Sequence, residues 1–442
     1  MSTQLDRKTP AGRTRNRRAF SRKARTIVAA TVTVVVALGA GFGAWWHFGD
    51  GRTTIMTMLK PAATPATERI AASVTDFAYS SAPGFLAKTN GDAHGNVNYS
   101  PTSLWMALAL AAQGSDGATR GQLDEALGSA KFTDDDYRSL IRSVNGRYDD
   151  SKSTMELHDS VWIDKEYRLM DSYENAAKDT FDAEVNSLDM DRHAAERMGR
   201  WVADNTHGML RPDIELDEDT ILTIIDTVYA DGRWESPFEP EDTMDDTFHG
   251  VTDESEVPMM MRSFDGLDYA EASDGSWRRA SIPFDNGGAL TILLPERAAF
   301  DEIAGDPDLL REAMTADAAQ AEVAMTLPRF TVDGTFASDT IMGVLRGLGV
   351  EDAFSSDDAD FSRMVEQDGL PGNPFIGEVI QGTRIEVNEH GAKTAAFTQM
   401  NVDAAGAPAE EKWVDFTVDR PFLYELSTPD GVPLFVGAVR NL

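Results

Sequence analysis

VNEHGAKTAAFTQMNVDAAGAPAEEKWVDFTVDRPF, residues 387–422, begins as a strand and stops being one at Gly391. Ile385, Val387 and Glu389 alternate with Glu386, Asn388 and His390, the two-residue period of an extended chain. From 392 to 409 Ala, Gly, Thr, Asp and Pro dominate, with Phe397, Met400 and Val402 the main apolar side chains. A long loop is expected there. Yet positions 392, 394, 396, 398, 400, 402 and 404 read Ala, Thr, Ala, Thr, Met, Val and Ala, all small or apolar on one phase. One face of the loop is therefore written as a strand. A segment that is a loop by composition and a buried strand by period is suited to entering a sheet, a known switching mode. Taken alone, the stretch also reads as an Ala-rich surface loop.

The flanks decide between these readings. Downstream stand Phe416, Val418, Asp419, Arg420, Pro421, Phe422, Leu423, Tyr424 and Leu426; upstream stand Glu389, Gly391 and the small residues after it. They resemble the C-terminal signature and the hinge of the serpins, serine protease inhibitors that trap their target by loop insertion. The resemblance covers about residues 70–442. It implies an α+β serpin fold, about nine helices around three mostly antiparallel β-sheets with an exposed reactive-centre loop. It assigns the hinge to Glu389, Gly391, Ala392, Thr394, Ala396 and Thr398. Counting forward from Gly391 by the spacing usual in the family puts the scissile bond after Ala405, between Ala404–Ala405 and Gly406; counting back from Arg420 puts it after Glu410. The loop is longer than the common pattern. The forward count is preferred, because the length of strand that enters the sheet is measured from the hinge.

The termini carry different information. Formal net charge is −34, but residues 1–26 hold nine Lys or Arg against Asp6 alone; the rest carries 31 basic and 73 acidic residues, net −42. Nucleic acid is excluded as a partner, since phosphate binding needs a basic face. There is no cysteine, hence no disulfide framework, thiol nucleophile or cysteine metal site. After the basic tail, residues 27–48, IVAATVTVVVALGAGFGAWWHF, carry no Asp, Glu, Lys or Arg. At ~1.5 Å per residue they match the ~30 Å of a hydrocarbon core. The expected layout is a cytoplasmic tail (1–26), a transmembrane signal-anchor (27–48) with Trp45 and Trp46 at the outer interface, a linker (49–67) and the folded body (68–442) outside the cell. A cleaved signal peptide, giving a secreted protein, is the alternative.

Within the body, 97–113 reads as a short strand, then Ser100 and Pro101 opening an almost wholly apolar helix. A helix apolar all round is central. Ser100 and Ser103 fall on the shutter serines that the resemblance implies, while also reading as a cap and a buried backbone-bonded serine. The apolar strand expected at 221–235 turns at Asp231 and Gly232, and Trp234 matches the tryptophan at the breach, where insertion begins. A helix is expected at 342–354 and a long strand at 376–388.

No HExxH, GxSxG or Walker loop is present, and the seven histidines have no metal-ligand spacing. No enzymatic activity, metal or cofactor is expected. What the resemblance implies is a monomeric suicide substrate: a target serine protease attacks the loop, forms an acyl-enzyme, and stalls as the cleaved loop enters the sheet. Ala405 suits elastase-like or subtilisin-like proteases with small primary pockets. The alternative function is a non-inhibitory serpin-like extracellular binding protein, which charged or Pro residues on the inward phase would favour; there are none before Ala404.

Overall fold

The computed structural model describes residues 30–39, 65–87, 95–145, 153–217, 219–366, 370, 372–392 and 412–442. Its strands are β1 (Ala30–Gly39), β2 (Val97–Tyr99), β3 (Thr154–Asp164), β4 (Glu184–Leu188), β5 (Thr220–Arg233), β6 (Thr243–His249), β7 (Glu254–Glu271), β8 (Trp277–Pro283), β9 (Ala289–Pro295), β10 (Ala319–Pro328), β11 (Phe330–Phe336), β12 (Pro374–Val387), β13 (Gly391–Ala392), β14 (Lys412–Thr417), β15 (Phe422–Ser427) and β16 (Pro433–Val439). Nine α-helices lie among the described residues: α1 (Glu68–Leu86), α2 (Pro101–Gln113), α3 (Gly117–Ala126), α4 (Asp134–Asn145), α5 (Asp171–Asn175), α6 (Arg192–Asn205), α7 (Phe300–Gly305), α8 (Pro307–Thr315) and α9 (Ser338–Gly347).

Helix α2 is where it is because nothing on it tolerates water. Residues 101–112 are all buried, the Ser100 side chain caps the helix by accepting from the backbone N–H of Ser103, and Pro101 occupies the first turn. At ~1.5–3 kcal/mol for each buried large apolar side chain, Leu104, Trp105, Leu108 and Leu110 anchor it under the main sheet, against β5, β1 and β16. That sheet runs β11-β12-β1-β5-β3-β4, with β13 also on β5. The other strands run β14-β10-β7-β8-β9-β15-β16-β2, with β6 on β7. In the 18-residue β7, residues 254–260 pair with β6, residues 259–269 with β10 and the last four residues with β8, so the second and third sheets are hydrogen-bonded through one strand.

Three local expectations change. Within 27–48, where a spanning helix is expected, Ala30–Gly39 is a strand, and no helix among the described residues is long and apolar enough to cross a membrane. The run ATVTVVVALG is rich in β-branched residues, which favour extended backbone. Between β5 and β12 it also finds partners on both edges, running parallel to each, with Val34 opposite Ile224 and Val379. The basic tail, the rest of the apolar run and residues 49–64 of the linker lie outside the described residues. Next, β5 does not turn at Asp231 and Gly232; β3 pairs with it as far as Asp231, and β13 takes Gly232 and Arg233. Finally, the helix expected at 342–354 is α9, which starts earlier without a side-chain cap and ends before Gly349, whose φ of +91° suits a glycine after a helix C-terminus.

Candidate functional site

Strand β12 delivers the chain to a reversal. Asn388 and Gly391 exchange backbone hydrogen bonds of 2.9 and 3.2 Å, and Gly391 and Ala392 then pair antiparallel with Arg233 and Gly232 at the end of β5. Each strand has two edges. Strand β3 and Ser153 take one edge of β5 there, so β13 lies on the edge that faces β12, in line with β1, whose pairing stops at Tyr229. The Ala392 side chain is fully buried. Gly391 has φ +154°, and a Cβ on it would stand 1.9 Å from the carbonyl oxygen of Gly232, so only glycine permits this approach.

Glu389 holds the turn from the other side. The Arg329 guanidinium donates to both carboxylate oxygens, with Nε 2.7 and 2.9 Å away, and the Thr243 hydroxyl donates at 2.6 Å. Burial would raise the Glu389 pKa, but these donors outweigh it and hold the carboxyl below its ordinary range. Trp234 closes the top of β5. Its ring stacks on Phe284 with centroids 5.1 Å apart, its Nε1–H donates to the Asn388 carbonyl at 2.9 Å, and its backbone N–H donates to the His390 carbonyl at 3.1 Å. The Phe238 N–H donates to the Glu389 carbonyl at 3.0 Å. Three successive carbonyls of the hinge are thus held from one side.

Beneath the sheet, the two serines reach two different strands. Gln381 of β12 bonds both ways with the Ser100 backbone, accepting from its N–H at 3.1 Å and donating to its carbonyl at 2.9 Å. The Ser103 hydroxyl donates to the carboxyl of Asp226 on β5. One turn of α2 therefore ties down β5 and β12, the two strands that flank β1. Glu389, Gly391, Ala392 and Trp234 are brought together beyond the end of β1, with Ser100 and Ser103 bonded to Gln381 and Asp226, both opposite Val36. Thr394, Ala396, Thr398 and the residues expected at the reactive centre, Ala404, Ala405 and Gly406, lie outside the described residues.

Sequence reasoning passed over Gln381, Asp226 and Arg329. A signal existed for Asp226, since an acid inside the apolar run ILTIIDTVY is out of place unless it has a buried partner. Arg329 had none; it meets Glu389 across 60 residues of chain.

Comparison with known proteins agrees with this geometry. The family model described as Serpin (serine protease inhibitor) matches residues 72–442. Serpin-ZXA of Oryza sativa subsp. japonica is 31% identical over 378 residues, covering 79% of this chain and 91% of the relative. A serine protease inhibitor of Cyanea capillata is 28% identical over 362 residues, covering 78% and 92%. Among solved structures, the thermophilic serpin Tengpin in its native state superposes with a TM-score of 0.71 at 25% identity, over 88% of this chain and 99% of that one.

Proposed function

This chain belongs to the serpin family, and we propose that it is a suicide-substrate inhibitor of elastase-like or subtilisin-like serine proteases. The observation that carries this reading is β13: the hinge has already begun a strand antiparallel to β5, with Ala392 buried, on the same edge of β5 that β1 occupies as far as Tyr229. Extending that register sets Thr394, Ala396 and Thr398 opposite Ala230, Val228 and Asp226, all buried positions. In the reaction, the protease serine Oγ attacks the carbonyl carbon of Ala405, the peptide bond to Gly406 breaks, and the new amine leaves with the downstream segment. The ester remains. As the loop enters the sheet it pulls the ester carbonyl from the oxyanion hole, and deacylation stalls. About ten new backbone hydrogen bonds at ~1 kcal/mol net each match the ~5–15 kcal/mol stability of an ordinary domain, enough to deform the captured enzyme.

The test is to mix the protein with a pancreatic-type elastase and sequence the new N-terminus of the released fragment. We expect a covalent complex and a start at Gly406, with little effect on trypsin. A start at Glu411 would support the backward count and an acid-preferring target. Cleavage after Lys412 would defeat both counts, and cleavage without any complex would favour the non-inhibitory alternative.

For residues 27–48 we propose a membrane anchor that leaves the body outside the cell, supported by the basic tail before the apolar run. The edge of β5 that β1 occupies is the one the loop needs, so withdrawal of the segment into a bilayer frees it. External protease added to intact expressing cells is expected to cut the loop while the body stays with the membrane fraction. A loop protected until lysis reverses the orientation, and a soluble body with a new N-terminus within or just after residues 37–43 shows a cleaved signal peptide.

A further inference from the structure

Asp159 on β3 and Asp226 on β5 are direct cross-strand partners, 2% and 0% exposed, above helix α2. Two facing carboxylates this deep cannot both ionise without a cation, and none acts on them among the described residues; the one further charge felt there, on Asp182, adds to the rise of Asp159. The polar groups beside them are neutral. Ser103 of α2 donates to Asp226 Oδ1. Neither oxygen of Asp159, nor Oδ2 of Asp226, nor the Tyr173 hydroxyl has another partner among the described residues. What is left to satisfy the carboxyls is a proton of their own.

We propose that the Asp159–Asp226 pair is a proton-gated latch on the main sheet, and that its charge state sets how readily β5 parts from β1, whose Val36 pairs with Asp226, to admit the reactive loop. The proposal rests on the insertion reading above. When both carboxyls are protonated the pair is neutral, and closing the sheet over it costs little. When the first proton leaves, a negative charge is trapped between β3, β5 and α2 with no cation against it, a state disfavoured until water reaches it. Opening the sheet slides β5 over α2 and lets water in, so the charged latch opens more easily than the neutral one.

The direction of the pH dependence follows. Burial, first of all, raises both acids, Asp159 to about 7, and the charge of Asp159 raises Asp226 further. In an unfolded chain an Asp titrates near ~3.9. The closed sheet is therefore most stable below that value, and the advantage is lost as pH rises through about 7. Here Asp159 and Asp226 act as positioning residues, touching neither the protease nor the scissile bond.

The experiment uses the full-length protein, its Asp159→Asn and Asp226→Asn variants and the double variant. Two quantities are measured from pH 5.5 to 8.5: the rate of covalent complex formation with elastase, divided by that of the double variant at each pH to remove the protease's own profile, and the midpoint of thermal unfolding, which needs no protease. The wild-type ratio is expected to rise several-fold across neutrality, with a ceiling of about tenfold per pH step of one for the release of a single proton. Its unfolding midpoint falls over the same range, and the double variant falls less steeply, keeping the slope that the buried Glu425, also raised to about 7, contributes. A wild-type midpoint that does not change, or a double variant that keeps the wild-type slope, overturns the latch. If one single variant fails to fold, the other still tests the slope, since either removes half of the pair. Failure of the inhibitor reading would look different, as absence of complex at every pH with the midpoint profile intact.

Discussion

Thr394→Arg is expected to turn the protein from inhibitor into substrate. Ala392 is fully buried and pairs with Gly232, so two residues further on Thr394 enters opposite the buried Ala230. Arginine there brings an unpaired guanidinium beneath the sheet at about 3–5 kcal/mol, the scale of a buried charge left without its partner. Even half of that in the insertion barrier slows the step by more than tenfold. Hydrolysis of the acyl-enzyme is untouched by the substitution, so it wins the race. Gel electrophoresis after mixing with excess elastase should show the covalent complex reduced to a few per cent, with cleaved protein in its place and cleavage at an unchanged rate. Thr394→Ser serves as the control and keeps the complex. Full complex with Thr394→Arg would remove the argument from inward phase.

Gly391→Ala acts one step earlier and through the backbone. At φ +154° the new Cβ stands 1.9 Å from the carbonyl oxygen of Gly232, and both groups belong to the main chain, so no rotamer relieves the overlap. The residue must leave the conformation that makes β13, and the two pairs to Gly232 and Arg233 go with it. Strain of this kind is worth about 1–3 kcal/mol, and we expect at least a tenfold loss in the rate of complex formation. Amide exchange at Ala392 should rise sharply while exchange along α2 stays as it was. Wild-type complex formation would show that the paired hinge is incidental to capture.

Ser100, Ser103, Gly391 and Ala392 were all legible because each depends on local backbone chemistry: a cap, a reversal, a residue small enough for its phase. The partners that give them meaning were not. Asp226 is reached by Ser103 across 123 residues and Gln381 by Ser100 across 281. Strand ends were less legible. Strand β12 ends at Val387, and Gly391, expected to break the strand, instead opens β13, while Asp231 and Gly232 did not stop β5, because neighbours on both edges outweigh a weak local turn preference.

By itself the sequence determined the class of the protein, the two-residue phase of the loop, the central apolar helix and the acidic balance, since hydrophobic period and composition are written residue by residue. The tertiary structure alone decided that Ala30–Gly39 lies as a strand between β5 and β12, that Arg329 neutralises Glu389, and that Asp159 faces Asp226 without a cation. Those three facts depend on register between distant strands. Register is chosen by the packing of whole faces against one another, and no local window of sequence contains it.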